Sequence, residues 1–296
     1  MFEGCHTAII TPFKGTGIKT PVDWAAYREI LESQNRGGVD GIVACGTTGE
    51  SPTLSHREHN RVIDVTVEET KGLVMAGTGS NCTWEAIELT EHAEDVGVDA
   101  SLQVCPYYNR PNQEGLYRHF GAVAEATDLP IIIYNIPSRS GREIAPATMA
   151  RLREEYSNVV GVKEASGSEK VWGEIRERCG KDFLILSGND SETLAMMRGH
   201  GAKGVISVAS NIVPREIVEF TRLGLDGRFS EMEARQSELE ELFRILFIDP
   251  NHMPVKAAMV MMGLRAGGYR LPMCEMGEEN KARLRAVLES LGLVKG

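Results

Sequence analysis

The six cysteines, Cys5, Cys45, Cys82, Cys105, Cys179 and Cys274, include no CxxC pair, which excludes the usual spacings of a zinc site and of a redox dithiol. Scattered reduced thiols in a cytoplasmic protein are the expectation. No stretch approaches the roughly 18 consecutive apolar residues that a membrane span needs. The opening MFEGCHTAIITPF carries an acid at Glu3 and no basic segment, unlike a secretory signal peptide. Basic charge is in deficit as well: 42 Asp and Glu stand against 32 Lys and Arg, a formal charge of -10. A surface of that sign repels nucleic-acid backbones and anionic membranes, so neither is an expected partner. A local group of arginines can still meet a small anionic substrate. Also missing is a dinucleotide fingerprint, since the nearest string, GTGSNC from Gly77, lacks the third glycine of GxGxxG.

What the 296 residues do contain is a series of short β-branched runs, each followed by a helix-like segment. Strands are predicted at Thr7–Ile10, Val39–Cys45, Leu73–Gly77, Ala100–Cys105, Pro130–Asn135, Val159–Lys163, Phe183–Ser187 and Gly204–Val208. Eight βα units in series favour a closed (β/α)8 TIM barrel over an open doubly wound sheet. Three helix-to-strand corners, GGVDGI from Gly37, VGVDA from Val96 and HGAKGVI from His200, offer a glycine suited to a left-handed helix terminus. Beyond the eighth strand the pattern is helical. Pro214–Leu223 is the expected last barrel helix, and Glu231–Phe247, Pro254–Leu264 and Glu278–Leu291 form a C-terminal helical appendage. The boundary falls near Leu225, dividing a barrel of residues 1–225 from a helical region of residues 226–296. The string MPVKAAMVMMGL is apolar on more than one face, so it is expected to pack on two sides.

In a barrel the site forms at the C-terminal ends of the strands. Four such ends carry polar strings: CGTTGES (Cys45–Ser51), CPYYNRP (Cys105–Pro111), YNIPSRSG (Tyr134–Gly141) and GVKEASG (Gly161–Gly167). Lys163 closes an apolar strand at this mouth, whereas Lys203 sits at a strand entrance and Lys256 in a helical segment. Desolvation disfavours an ammonium and leaves a neutral amine able to attack a carbonyl and form a Schiff base. The competing reading is a salt bridge to Glu164, but neighbours on a strand point to opposite faces. Tyr134, Thr47 and Tyr108 supply hydroxyls able to pass protons during imine formation. The glycines of GTTGE let backbone amides approach a carboxylate. His56 and His59, in LSHREH, have the i, i+3 spacing of metal ligands but no third ligand, so no metal is expected, and the ordinary reading is an exposed first helical turn.

The strings GTTGES, PYYNRP with EGLY following, YNIPSRSG, GVKEASG, LSGND, GVISV and NHMPVKAA, in this order, resemble those of the dihydrodipicolinate synthase family along essentially the whole chain. The resemblance implies a (β/α)8 lyase that condenses pyruvate with aspartate semialdehyde, the committed step towards diaminopimelate and lysine, with no metal or organic cofactor. By motif it implies that Lys163 forms the imine with pyruvate and that Tyr134 is the general acid/base. It further implies that Thr47 and Tyr108 complete a proton relay, Tyr108 serving the neighbouring subunit. Thr48 would hold the pyruvate carboxylate, and Gly188 and Ile206 would line the pocket. Arg139 separates this reading from N-acetylneuraminate lyase and keto-deoxy sugar-acid aldolases on the same fold, because a guanidinium suits the carboxylate of a short aldehyde acid. The plainer alternative for Arg139 is a solvated loop arginine. In lysine-regulated members the positions of Ser51, His56, His59, Asn81, Glu85 and Tyr107 line an inhibitor cavity at a subunit interface; Pro52 departs from the commonest pattern there, and Trp84 lies beside it. A homotetramer built from two tight dimers is the implied assembly. A catalytically silent small-molecule-binding barrel is the non-enzyme alternative, against which the intact set of Lys163, Tyr134, Thr47 and Tyr108 argues.

Overall fold

The computed structural model describes residues 2–295, leaving Met1 and Gly296 aside. Eight parallel strands close on one another in sequence order, β8 pairing back onto β1. They are β1 (Gly4–Ala8), β2 (Gly41–Ala44), β3 (Leu73–Gly77), β4 (Ala100–Val104), β5 (Ile131–Asn135), β6 (Val159–Glu164), β7 (Leu184–Ser187) and β8 (Gly204–Ser207). Around them run α1 (Trp24–Gly37), α2 (His56–Glu69), α3 (Thr83–Asp95), α4 (Gln113–Glu125), the single turn α5 (Pro137–Ser140), α6 (Pro146–Glu155), α7 (Glu169–Cys179), α8 (Thr193–His200) and α9 (Pro214–Leu225). Three further helices follow: α10 (Phe229–Ile245), α11 (His252–Met261) and α12 (Glu278–Ser290). The predicted TIM barrel with a C-terminal helical appendage is therefore the architecture present.

Parallel strands with helices outside and side chains inside are buried on both faces, which is why β5 reads as an unbroken IIIYN, every residue buried. Inward-facing side chains, among them Val43, Met75, Leu102, Ile132, Tyr134, Leu186 and Ile206, fill the barrel as one cluster. At the predicted corners Gly38, Gly97 and Gly201 take positive φ of 77°, 84° and 67°, a conformation that a Cβ disfavours. The second helix begins with a capping box in which the Ser55 hydroxyl accepts from the Glu58 amide while the Glu58 carboxylate accepts from the Ser55 amide.

Five strands differ from the sequence expectation by a single residue at one end, and two differ by more. The first begins at Gly4 rather than Thr7; Ile9 and Ile10, which extended the apolar run, lie beyond the strand and are buried in the cluster that packs outside the barrel. The second begins at Gly41 rather than Val39, because Asp40 belongs to the corner, where its carboxylate accepts the Cys5 amide at 2.8 Å. The C-terminal helices share that outer cluster with barrel residues: Leu242, Phe243, Val255, Met259 and Leu284 sit in it with Ile9, Ile42 and Val62. In α11 seven residues from His252 to Met259 are buried, while Val260 is half exposed.

Candidate active site

Tyr134 and Lys163 are register partners on the adjacent strands β5 and β6, so both project to the inner face. Both are buried, and the Lys163 amine lies 4.1 Å from the centre of the Tyr134 ring. One residue further along, the partners Asn135 and Glu164 point the other way, and Asn135 Nδ2 donates to Glu164 Oε2 at 2.8 Å. The second Glu164 oxygen accepts the Ser166 amide at 2.6 Å. Both oxygens are thus engaged behind the barrel wall, which disposes of the neighbouring-residue salt bridge.

Burial lowers the Lys163 amine from the ordinary lysine value to about 7, opposed by the buried carboxylate of Asp190 and assisted by the Arg139 guanidinium. At neutral pH a large share of it is the neutral nucleophile. Burial pushes the Tyr134 phenol the other way, up to about 12, partly offset by Arg139 and by a hydrogen bond with the Thr47 side chain. That phenol stays protonated at neutral pH and can deliver a proton to a departing oxygen. Asp190 Oδ2 accepts the amides of Val208 and Ala209 at 3.0 and 3.1 Å, and burial holds its carboxyl above the usual carboxylate range.

The loop after β2 brings Thr47 and Thr48 to the same mouth. Thr48 is buried, and its hydroxyl accepts from Asn251 Nδ2 at 2.9 Å. Arg139, in α5, donates through Nη2 to Asn251 Oδ1 at 2.8 Å. One asparagine at the start of α11 therefore joins the loops after β2 and β5. Gly188 has a steric reason: a Cβ there would lie 2.7 Å from Ala165 Cβ and 3.3 Å from Lys163 Cε, so a side chain would crowd the lysine. Ile206 is buried in the inner cluster beside Tyr134.

Thr47, Tyr134 and Arg139 line a cavity of about 430 Å³ that is also walled by Ser51, Pro52, His56, His59, Glu85 and Tyr107. Three larger hollows, about 1060, 840 and 510 Å³, are open surface grooves, and the first two carry many charged side chains, several of them salt-bridged. The cavity thus joins the second residue set to Thr47, Tyr134 and Arg139 of the first; Lys163, Thr48, Gly188 and Ile206 are not among its lining residues. Asn81 is the exception: it does not line this cavity, and its carbonyl accepts Asn109 Nδ2 at 2.8 Å. His56 Nε2 donates to Glu85 Oε1 at 2.7 Å, and Glu85 also accepts from the Ser80 hydroxyl, which lowers its pKa. His59 is buried, not exposed as a first-turn residue would be, and its Nε2 donates to the Gly77 carbonyl at 2.9 Å. With Nε2 donating, Nδ1 is the acceptor of a neutral ring. Burial lowers the His59 pKa. Tyr108 stands apart: it is 89% exposed, does not line the cavity, and has the uncommon φ of +70°. Trp84 is 70% exposed.

Three residues of this region escaped the sequence reading. Asn251 is one. Glu50 and Lys256 are the others, a buried ion pair with Nζ–Oε1 2.6 Å. The available signal was a single lysine in the apolar run PVKAAMVMM, which a strictly solvated helix face does not explain.

Fold and site together define a barrel enzyme with a buried lysine amine of lowered pKa at the strand ends. The chain belongs to the dihydrodipicolinate synthetase family, whose profile matches residues 1–291. A relative from Methanocaldococcus jannaschii, a 4-hydroxy-tetrahydrodipicolinate synthase, is 49% identical over 99% of this chain and 100% of its own length. The crystal structure of dihydrodipicolinate synthase from Aquifex aeolicus superposes with a TM-score of 0.96 at 47% identity, covering all of both chains. Two further structures, each 38% identical and covering 99% of this chain, carry ligands. The Acinetobacter baumannii enzyme, described as chloride inhibited, is complexed with pyruvate (TM-score 0.95, all of that chain covered), and the Cyanidioschyzon merolae enzyme has lysine bound (TM-score 0.94, 99% of that chain covered). No helix among the described residues is long and apolar enough to cross a membrane.

Proposed function

We propose that the chain condenses pyruvate with L-aspartate 4-semialdehyde to give 4-hydroxy-tetrahydrodipicolinate, acting in the cytoplasm on the route to diaminopimelate and lysine. The observation that carries this reading is the buried Lys163 amine, held near neutrality against the ring of its strand partner Tyr134, in a chain so similar to synthases of this name along its full length.

The neutral amine adds to the pyruvate ketone, and the resulting hydroxyl takes a proton from Tyr134 and leaves as water, giving the imine. Loss of a methyl proton converts it to an enamine, whose carbon attacks the aldehyde; the aldehyde oxygen is protonated to the 4-hydroxyl. The substrate's own α-amine then displaces Lys163 from the imine carbon, closing the ring and freeing the enzyme. One water is lost in all. Thr47 connects to Tyr134 and extends the relay, which Tyr108 of a neighbouring subunit completes in a tetramer of two tight dimers. Thr48 holds the pyruvate carboxylate, and Arg139 receives the carboxylate of the aldehyde substrate. That guanidinium favours the short aldehyde acid over the neutral hydroxyls of a sugar chain. The chemistry uses no metal or organic cofactor. Free L-lysine inhibits from the part of the cavity walled by His56, His59 and Glu85.

Borohydride reduction in the presence of pyruvate, followed by peptide mass mapping, tests the reading. One adduct on Lys163 is the expected result; an adduct elsewhere, or none, overturns it.

A further inference from the structure

Glu50 closes the GTTGE turn with φ +54°, a left-handed conformation that a residue with a Cβ adopts only when its surroundings hold it there. Its carboxylate is buried and accepts from Lys256 Nζ at 2.6 Å. Lys256 has no exposed surface, and its ammonium lies 4.5 Å from the centre of the Phe13 ring and 5.0 Å from that of Tyr269. Besides Glu50, the ammonium thus has two aromatic rings within reach, whose faces attract a cation. The Glu50 amide donates to the Thr47 carbonyl at 3.1 Å, and the Gly49 amide to the Gly46 carbonyl at 3.1 Å. A turn this tight transmits movement of Glu50 to Thr47. Asn251, on the same helical end as Lys256, grips Thr48.

We propose that Lys256 is a positioning residue for pyruvate: through Glu50 it fixes the turn that presents Thr47 and Thr48 to the substrate carboxylate. A buried ion pair adds little net stability over apolar side chains of the same volume, because desolvation offsets the attraction. What this pair adds is one fixed geometry for a turn whose backbone would otherwise relax. The effect reaches the substrate through the threonine loop, while the Lys163 amine belongs to a different strand. The inference rests on the reading of Thr48 as the pyruvate carboxylate's partner.

The test compares the full-length wild type with Lys256→Met, Glu50→Gln and the double variant Lys256→Met/Glu50→Gln. Urea midpoint, KM for pyruvate, kcat and the borohydride-trapped adduct at saturating pyruvate are measured for each. Lys256→Met leaves a buried carboxylate unpaired and is expected to lose stability; the double variant, with no net charge to bury, recovers the midpoint. The double variant is nevertheless expected to show a pyruvate KM raised by about tenfold or more, with the Lys163 adduct still forming at saturation. A folded double variant with a pyruvate KM within about twofold of the wild type overturns the proposal. So does failure of all three variants to fold, which would assign the pair to stability alone. A wild type that forms no adduct removes the functional reading itself; a wild type that forms it, beside an unmoved double variant, removes only the role of Lys256.

Discussion

Two lysines are sealed inside this molecule, and they meet burial differently. Lys256, in α11, has a carboxylate at 2.6 Å and two aromatic rings around it. Burial lowers it to about 8, against the pull of Glu50, so at neutral pH it is chiefly the cation that its partner requires. Lys163, at the end of β6, meets the face of Tyr134, with Asp190 as the carboxylate that acts on it and Arg139 as an opposing charge. It falls to about 7 and is divided between cation and amine. In the roles proposed above, one lysine is kept charged to hold a loop and the other is kept close to losing its proton so that it can react. Burial alone does not make a nucleophile, and the difference is made by what stands next to the nitrogen.

The largest effect that separates the two is expected from Lys163→Met. Catalysis should fall by at least about 10⁴-fold, while the protein becomes more stable at acid and neutral pH. The folded value of Lys163, about 7, lies below its unfolded value, so between these the unfolded chain binds more protons and stability rises with pH; below about 7 the buried charge costs on the order of a few kcal/mol. Urea midpoints at pH 6 and pH 9 check this: the gain over wild type should be largest at pH 6 and shrink by pH 9. A variant less stable than wild type at pH 6 would make Lys163 a structural lysine of the same kind as Lys256.

A smaller effect should follow from Arg139→Leu. The guanidinium helps to lower Lys163, so without it the midpoint of pyruvate-adduct formation should move to higher pH, while use of aspartate semialdehyde drops by about 10²-fold through loss of a charged contact. Trapping rates across pH 6 to about 9 read the first, steady-state rates the second. An unmoved midpoint with equal loss of both steps would return Arg139 to a purely structural part.

The smallest effect concerns a third ammonium, that of free L-lysine. A protonated imidazole at His59 would repel it, so inhibition should weaken a few-fold on acidification, on the acid side of the ordinary histidine range of about 6.5 because burial lowers the His59 pKa. Inhibition titrated at two pH values decides the matter. Purely competitive behaviour against pyruvate would merge the two ends of the cavity into one site.

Much of this was legible in the sequence, for reasons that can be located. The third strand runs from Leu73 to Gly77 as predicted, because a short apolar run between polar turns has few other ways to bury itself. Lys163 stood out because a charge at the end of an apolar strand has nowhere ordinary to go. His59 was misplaced since a two-histidine pattern does not say which side of α2 faces β3, and the answer lies in the Gly77 carbonyl. Lys256 was set aside as a residue of a helical segment, because helical periodicity marks a face as buried without naming what fills it. Its partner lies 206 positions away in the chain, and nothing local to either residue announces the other.

The hydrogen bond between Asn135 and Glu164 lies on the outer face of the barrel, one step from the reacting pair and in the same register. Sliding β5 past β6 along their common axis would pull the phenol from the amine and, in the same motion, tear a buried polar contact that has no solvent to replace it. Shear between these two strands therefore meets a mechanical latch on the side that no substrate touches. The spacing of the phenol and the amine is thus held from behind, as a hinge pin holds a blade.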